Sequence, residues 1–309
     1  PNFTAVTATG RYGAWAFEST SSGSTFLRPT AWQLAGGQWT RASFPGKRGE
    51  QVRSASATSP SDVWAMANTL HGARALLFNG TNWSVMKAFS NRFFASVVPL
   101  SRHEAWVFGA GAWHFHADHW SLVKSGHGLV AGSALAPGNV WAIGSTSVAH
   151  WNGTTWTRTS VKTLLPPKGM LNDPGLMSIY AQSRSSVWAV GTAGEESQGG
   201  PVVVLHYNGH RWTRAALANV CCGIPGQVIP DGSGGLWVPY GTPWASYTML
   251  HYTGGHVSKI ALPAPSGTDL QLASAAAVPG ERRAFAVGAA QRPHFVGGYT
   301  RALILAYGS

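Results

Sequence analysis

The chain has 309 residues and a formal net charge of +11, from 22 Lys and Arg against 11 Asp and Glu. Its apolar stretches are no longer than a strand, which excludes a membrane-spanning helix, and two cysteines exclude a scaffold built on disulfides. With 11% charged residues the surface must be mostly Ser, Thr, Gly, Asn and Gln, and its basic excess favours anionic partners.

One unit recurs along the chain. Its plainest copy is Ser59-Pro60-Ser61-Asp62-Val63-Trp64-Ala65, followed by Phe78-Asn79-Gly80-Thr81-Asn82-Trp83. Other copies are Asn139-Val140-Trp141-Ala142 with His150-Trp151-Asn152-Gly153-Thr154-Thr155-Trp156, and Ser186-Val187-Trp188-Ala189 with His206-Tyr207-Asn208-Gly209-His210-Arg211-Trp212. Weaker copies centre on Trp15, Trp106, Trp237 and Phe285. The seven aromatics are separated by 49, 42, 35, 47, 49 and 48 residues. Seven units of propeller-blade length predict an all-β, seven-bladed β-propeller with four antiparallel strands per blade. The blades are expected at about 1–46, 47–90, 91–128, 129–175, 176–222, 223–270 and 271–309, as a single domain.

In the second unit the predicted strands are 52–58, 63–67, 75–78 and 83–87. The Asn-Gly pairs mark hairpins, because both residues tolerate positive φ. The turns between first and second strands and between third and fourth strands are uniform, whereas the other connections vary. In an up-and-down blade these two sets lie on opposite faces. Function is therefore expected on the variable-loop face.

Along the chain, that face acquires Arg28 from blade one and the basic linker Pro45-Gly46-Lys47-Arg48-Gly49-Glu50-Gln51-Val52-Arg53. Blade two adds His71 and Arg74, and the step into blade three adds Arg92. Arg53 and Arg92 fall near the starts of innermost strands, where they can point at the axis mouth. Blade three carries Trp113-His114-Phe115-His116-Ala117-Asp118-His119-Trp120. His114 matches His150, His206 and His251, so this run reads as blade packing, and no metal is expected.

The long exit of blade four, 160–177, contains Lys168 and reads as a lid over the mouth. Cys221 and Cys222 are adjacent on the variable face. A vicinal disulfide, two buried thiols and a redox or soft-metal site are all open readings. Blade six offers Tyr240, Trp244 and Tyr247 as loop aromatics. Blade seven offers Arg292, His294 and Tyr299, then ends without a fourth strand. A three-stranded last blade is expected, with an open edge that a protein partner can pair.

The motifs Ser-Pro-Ser-Asp-Val-Trp-Ala and His-Tyr/Trp-Asn-Gly-x-x-Trp resemble repeats in secreted β-propellers of actinobacteria, some of them lectin-like. The resemblance implies glycan or cell-surface recognition. It carries over no binding residue, since the matching positions are structural.

Two functions fit. A secreted recognition module would bind an anionic or neutral glycan, another cell-surface polymer or a protein through Arg28, Lys47, Arg48, Arg53, His71, Arg74, Arg92, Lys168, Trp244, Arg292 and His294. The alternative is a polysaccharide lyase or hydrolase in the central pocket of the same face. A lyase would use Arg53 and Arg92 to neutralise a uronate, and His71, His294 or Tyr299 as base or acid, with His127 and Tyr247 also within the candidate set. A two-carboxylate hydrolase would draw on Glu18, Glu50, Asp173, Glu195, Glu196 and Asp269. No cofactor is implied. Scattered cations and core-bound aromatics argue against nucleic acid. The residues Pro1-Asn2-Phe3-Thr4 read as a start that follows a removed leader, in line with an exported protein.

Overall fold

The computed structural model describes residues 2–22, 25–165, 174–192, 202–215, 223–242, 245–293 and 299–308. Six sheets of consecutive antiparallel strands, followed by a three-stranded one, form the seven blades. In blade two the strands are Gln51–Ser59, Asp62–Thr69, Gly72–Phe78 and Trp83–Ser90. Two single 3-10 turns, Lys124–Gly126 and Lys162–Leu164, are the only helical segments among the described residues.

The repeated aromatics build the ring. The second-strand aromatic of each blade reaches into a socket on the next blade, formed where the third strand ends and the fourth begins. Trp15 lies 4.7 Å from Phe78 and 5.2 Å from Trp83, between ring centroids. Trp64 meets Phe115 and Trp120, Trp106 meets Trp151 and Trp156, and Trp141 meets Tyr207 and Trp212. Trp188 meets Tyr252, and Trp237 meets Tyr307. Phe285 of blade seven closes the circle against Trp39 of blade one, at 6.0 Å. Each such pair adds about 0.5–1.5 kcal/mol beyond its buried area.

The hairpin between the two socket residues fixes their spacing. Gly80, Gly153 and Gly209 have φ near +100°, whereas their Asn neighbours stay at negative φ. The Asn side chain works instead as a cap. Asn79 Oδ1 accepts from the N–H groups of Thr81 and Asn82, and Asn152 and Asn208 do the same in their own turns. The hairpins expected at the Asn-Gly pairs are present, with the positive φ taken by the Gly alone.

Blade seven consists of Asp269–Ala277, Ala284–Gln291 and Tyr299–Tyr307. The ring closes by packing rather than by a shared sheet: Phe3, Val6 and Ala14 of blade one bury against Val278, Phe285 and Val287. A serine bond reinforces that closure. Ser274 Oγ accepts from Val6 N (3.4 Å), as Ser54 of blade two does from Val97, Ser133 of blade four from Ala181 and Ser178 of blade five from Val228, each bond reaching the next blade. Neighbouring innermost strands surround a channel of about 860 Å3 lined mainly by Ala, Ser, Gly and Val.

Candidate functional site

The innermost strand of blade two runs Val52-Arg53-Ser54. Val52 pairs with Ala67 and Ser54 with Met66, so Arg53 is the extra residue of a β-bulge. A bulge re-aims its side chain out of the ladder. Blades one, three, five and seven bulge at the same place, leaving Thr4, Ala95, Met177 and Ala273 unpaired. Arg53 is the one cation of this set. It lines both the channel and a groove of about 900 Å3 on the variable face.

The groove lies across blades one to three. Arg92 shares it with Arg53, and the Arg92 guanidinium sits 5.5 Å over the Trp113 ring, a cation–π contact that holds it in place. Three solvent-facing apolar residues border it: Leu70 (84% exposed), Phe93 (51%) and Phe26 (38%). Asn68 ties its floor together, donating to Phe94 O at 2.7 Å and accepting from Phe94 N at 3.3 Å. The remaining polar lining includes Gln51, Thr69 and Asn91. Among the described lining residues there is no carboxylate and no imidazole.

Beside the groove, the basic linker is held rather than free. Glu50, with a side chain 1% exposed, accepts from Arg74 Nε and Nη2, both at 2.5 Å, and from Lys47 N at 2.7 Å. Arg74 also donates to Pro45 O, and Gly49 N donates to Phe26 O. Lys47 and Arg48 project from this anchored turn into solvent. Arg74 itself is buried and engaged through Nε and Nη2, so it shapes the loop and is withdrawn from ligand contact. The reason is Glu50, which lies 24 positions earlier, in the linker just before the first strand of the blade.

The other expected site residues scatter. Arg28 is exposed on the blade one loop, and Arg292 on the blade seven loop. His71 is exposed one position from Leu70, and its carbonyl accepts from Asn91 N. Tyr299 begins the last strand opposite Gln291. Lys168, Trp244, His294, Cys221 and Cys222 lie outside the described residues, as do Asp173, Glu195 and Glu196. Tyr240 is no loop aromatic: it sits in the strand Leu236–Thr242, 7% exposed, between blades five and six. Tyr247 is also on a strand, Ala245–Thr253, and packs on Gly241. Of the carboxylates, Glu18 accepts from Trp32 Nε1 and Asp269 from Ser246 Oγ, so Glu18, Glu50 and Asp269 have three different partners.

On the plain face, the recurring imidazoles stack on the second-strand Trp. The centroid distances are 4.1 Å for His114 on Trp106, 4.3 Å for His150 on Trp141, 3.9 Å for His206 on Trp188 and 4.7 Å for His251 on Trp237. Each finds an acceptor or carboxylate partner: Glu104, Asn139, Ser186 and Asp231. Burial pushes His114, His150 and His206 below the ordinary imidazole pKa. At Asp231, burial raises the pKa, but bonds from His251, Ser233 and Gly235 outweigh it and bring the carboxyl down to about 2. Asp231 lies four residues before the usual acceptor position. That position is Gly235, where a Cβ would stand 2.5 Å from Asp231 Oδ2.

No protein-family model and no curated protein sequence matches the chain. Solved structures do resemble it. "YCF48 bound to D1 peptide" superposes with a TM-score of 0.63 at 10% identity, over 100% of this chain and 93% of that one. The virginiamycin B lyase of Staphylococcus aureus gives 0.62 at 12% identity, over 92% and 91%. The SapL1 lectin in complex with alpha methyl fucoside gives 0.51 at 14%, over 86% and 97%. The likeness is one of fold: these β-propellers comprise a peptide-bound protein, a lyase and a lectin.

Proposed function

We propose that this protein is an exported recognition module that holds an anionic ligand, a glycan or a protein segment, across the variable face of blades one to three. One observation carries the reading: Arg53 and Arg92 share an open groove whose border is exposed Phe and Leu and whose other polar lining is amide and hydroxyl. Such a lining binds. Two guanidiniums recognise carboxylate or sulfate, and aromatic faces stack on sugar rings or side chains. Lys47 and Arg48, on their anchored turn, extend the positive field beyond the groove. The fold neighbours that carry a peptide or a fucoside support a binding role for this architecture.

The test is binding of uronic-acid polysaccharides and acidic peptides on an array, followed by titration at two salt concentrations. Arg53→Ala and Arg92→Ala should each weaken a carboxylate ligand about 10–100-fold, the loss of one charge-assisted hydrogen bond. Saturable binding that neither substitution changes would refute the placement. A second reading, polysaccharide lyase, draws on His71 standing next to the groove residue Leu70. New absorbance from unsaturated sugars, abolished in His71→Ala, would favour it over pure recognition.

A further inference from the structure

Blade three differs from its neighbours on the plain face. In blades four and five the stacked imidazole meets a neutral partner, Asn139 or Ser186. Blade three has Glu104 at that position, buried at 9% exposure. Its two oxygens face two imidazoles. Oε1 lies 3.0 Å from His114 Nε2 and Oε2 lies 3.7 Å from His116 Nδ1. One ligand atom from each of the three residues falls within 4.8 Å of the other two.

The register explains the convergence. Glu104 is directly opposite His116, and Trp106 is opposite His114. His114 and His116 are therefore same-face neighbours on one strand, and both lean over one carboxylate. The second imidazole is peculiar to this blade. Two residues after the stacked His, blades four, five and six carry Asn152, Asn208 and Thr253. In blades four and five that Asn caps the hairpin. Blade three turns without it, on Ala117 and Asp118 at φ +48° and +60°. His116 is thus free of the capping duty of its counterparts and stands open to solvent, with a side chain 66% exposed.

Two imidazole nitrogens and a carboxylate oxygen form a donor set suited to zinc-class ions. Bonds of about 2.0–2.2 Å in a tetrahedron place ligand atoms about 3.4 Å apart. The separations of 3.0 and 3.7 Å run to different Glu104 oxygens; with one oxygen taken, the three ligand atoms stand within 4.8 Å of one another, and the exposed His116 side chain supplies the freedom to close the set. Glu104 and His114 are held by burial and by the Trp106 ring, and the open side of the site leaves a fourth position to water. We propose that blade three carries a site for a divalent transition-metal ion of the zinc class, ligated by His114 Nε2, His116 Nδ1 and a Glu104 oxygen. The ion would staple the second strand to the third at the rim opposite the groove.

The experiment titrates untagged, metal-stripped protein with Zn(II) by calorimetry and with Co(II) by visible absorption. One equivalent should bind, with the d–d bands of a four- or five-coordinate ion, and Zn(II) should raise the melting temperature where Mg(II) does not. His116→Ala, on an exposed side chain that folding does not need, and Glu104→Gln should each weaken binding at least tenfold. His103→Ala removes an exposed imidazole of the same rim, 3.8 Å from Asp118, and should change nothing. Absence of saturable binding would overturn the assignment. So would one-equivalent binding that survives both His116→Ala and Glu104→Gln, since the ion would then sit elsewhere.

Discussion

Arg74→Met separates a structural cation from a ligand-contacting one. The substitution keeps the length and removes the guanidinium, leaving Glu50 buried with the Lys47 N–H as its remaining partner. Breaking a buried pair by removing one partner costs about 3–5 kcal/mol. For a domain of this size that is a fall of roughly 6–10 °C in melting temperature. Calorimetry at neutral pH reads it directly. Glu50→Leu together with Arg74→Met should recover most of the loss, because an apolar pair of similar volume replaces the ion pair, less about 1 kcal/mol for the Lys47 N–H. In the single variant the turn at 45–50 loosens, so an anionic ligand should also bind more weakly although Arg74 does not reach the groove. A drop of less than about 2 °C in Arg74→Met, or a double variant no better than the single one, would refute the reasoning.

Ala117→Gly should stabilise the protein by about 0.5–1 kcal/mol in thermal melts, since glycine adopts the left-handed region without the penalty alanine meets there. Gly235→Ala should destabilise by about 1–3 kcal/mol, because the new methyl meets Asp231 Oδ2 and Tyr252 O and separates Asp231 from His251. Acid should weaken the fold in two stages. His150 and His206 are held below 6.5, so the unfolded chain takes up protons there first and stability falls as pH drops beneath about 6.5. Asp231 keeps its charge down to about 2, so a further loss sets in as pH falls from 3.8 toward that value. Denaturant midpoints measured across this range check both, and a flat profile between pH 7 and 5 would contradict the first.

The blades are legible because the packing unit is local: a second-strand Trp, an Asn-Gly turn and a fourth-strand Trp are all readable within one repeat. The last three strands are legible for the same reason, from Phe285 in the second to Tyr307 at the end of the third. The site is only half legible. Arg53 and Arg92 show themselves as cations near strand starts, but the bulge that aims Arg53 leaves no mark in Val52-Arg53-Ser54. Phe26 hides in a Ser- and Gly-rich loop, and Asn68 looks like ordinary strand-end polarity until its bonds to Phe94 are seen. Arg74 reads as a surface charge because its partner belongs to the linker before the blade. The run of histidines is visible at once, whereas the carboxylate that joins two of them enters only through cross-strand register.

The bulges on the innermost strands separate inheritance of shape from choice of ligand. A residue with no cross-strand partner can be exchanged without disturbing the ladder on either side. Arg53, Ala95, Met177 and Ala273 occupy four such openings along the axial channel, whereas Thr4 is buried with its hydroxyl donating to Phe17 O. Charge, length or polarity at the mouth can therefore be rewritten one letter at a time. An Arg at position 95 or 273 would turn a mouth charged on one side into one charged on two, with the frame left as it is.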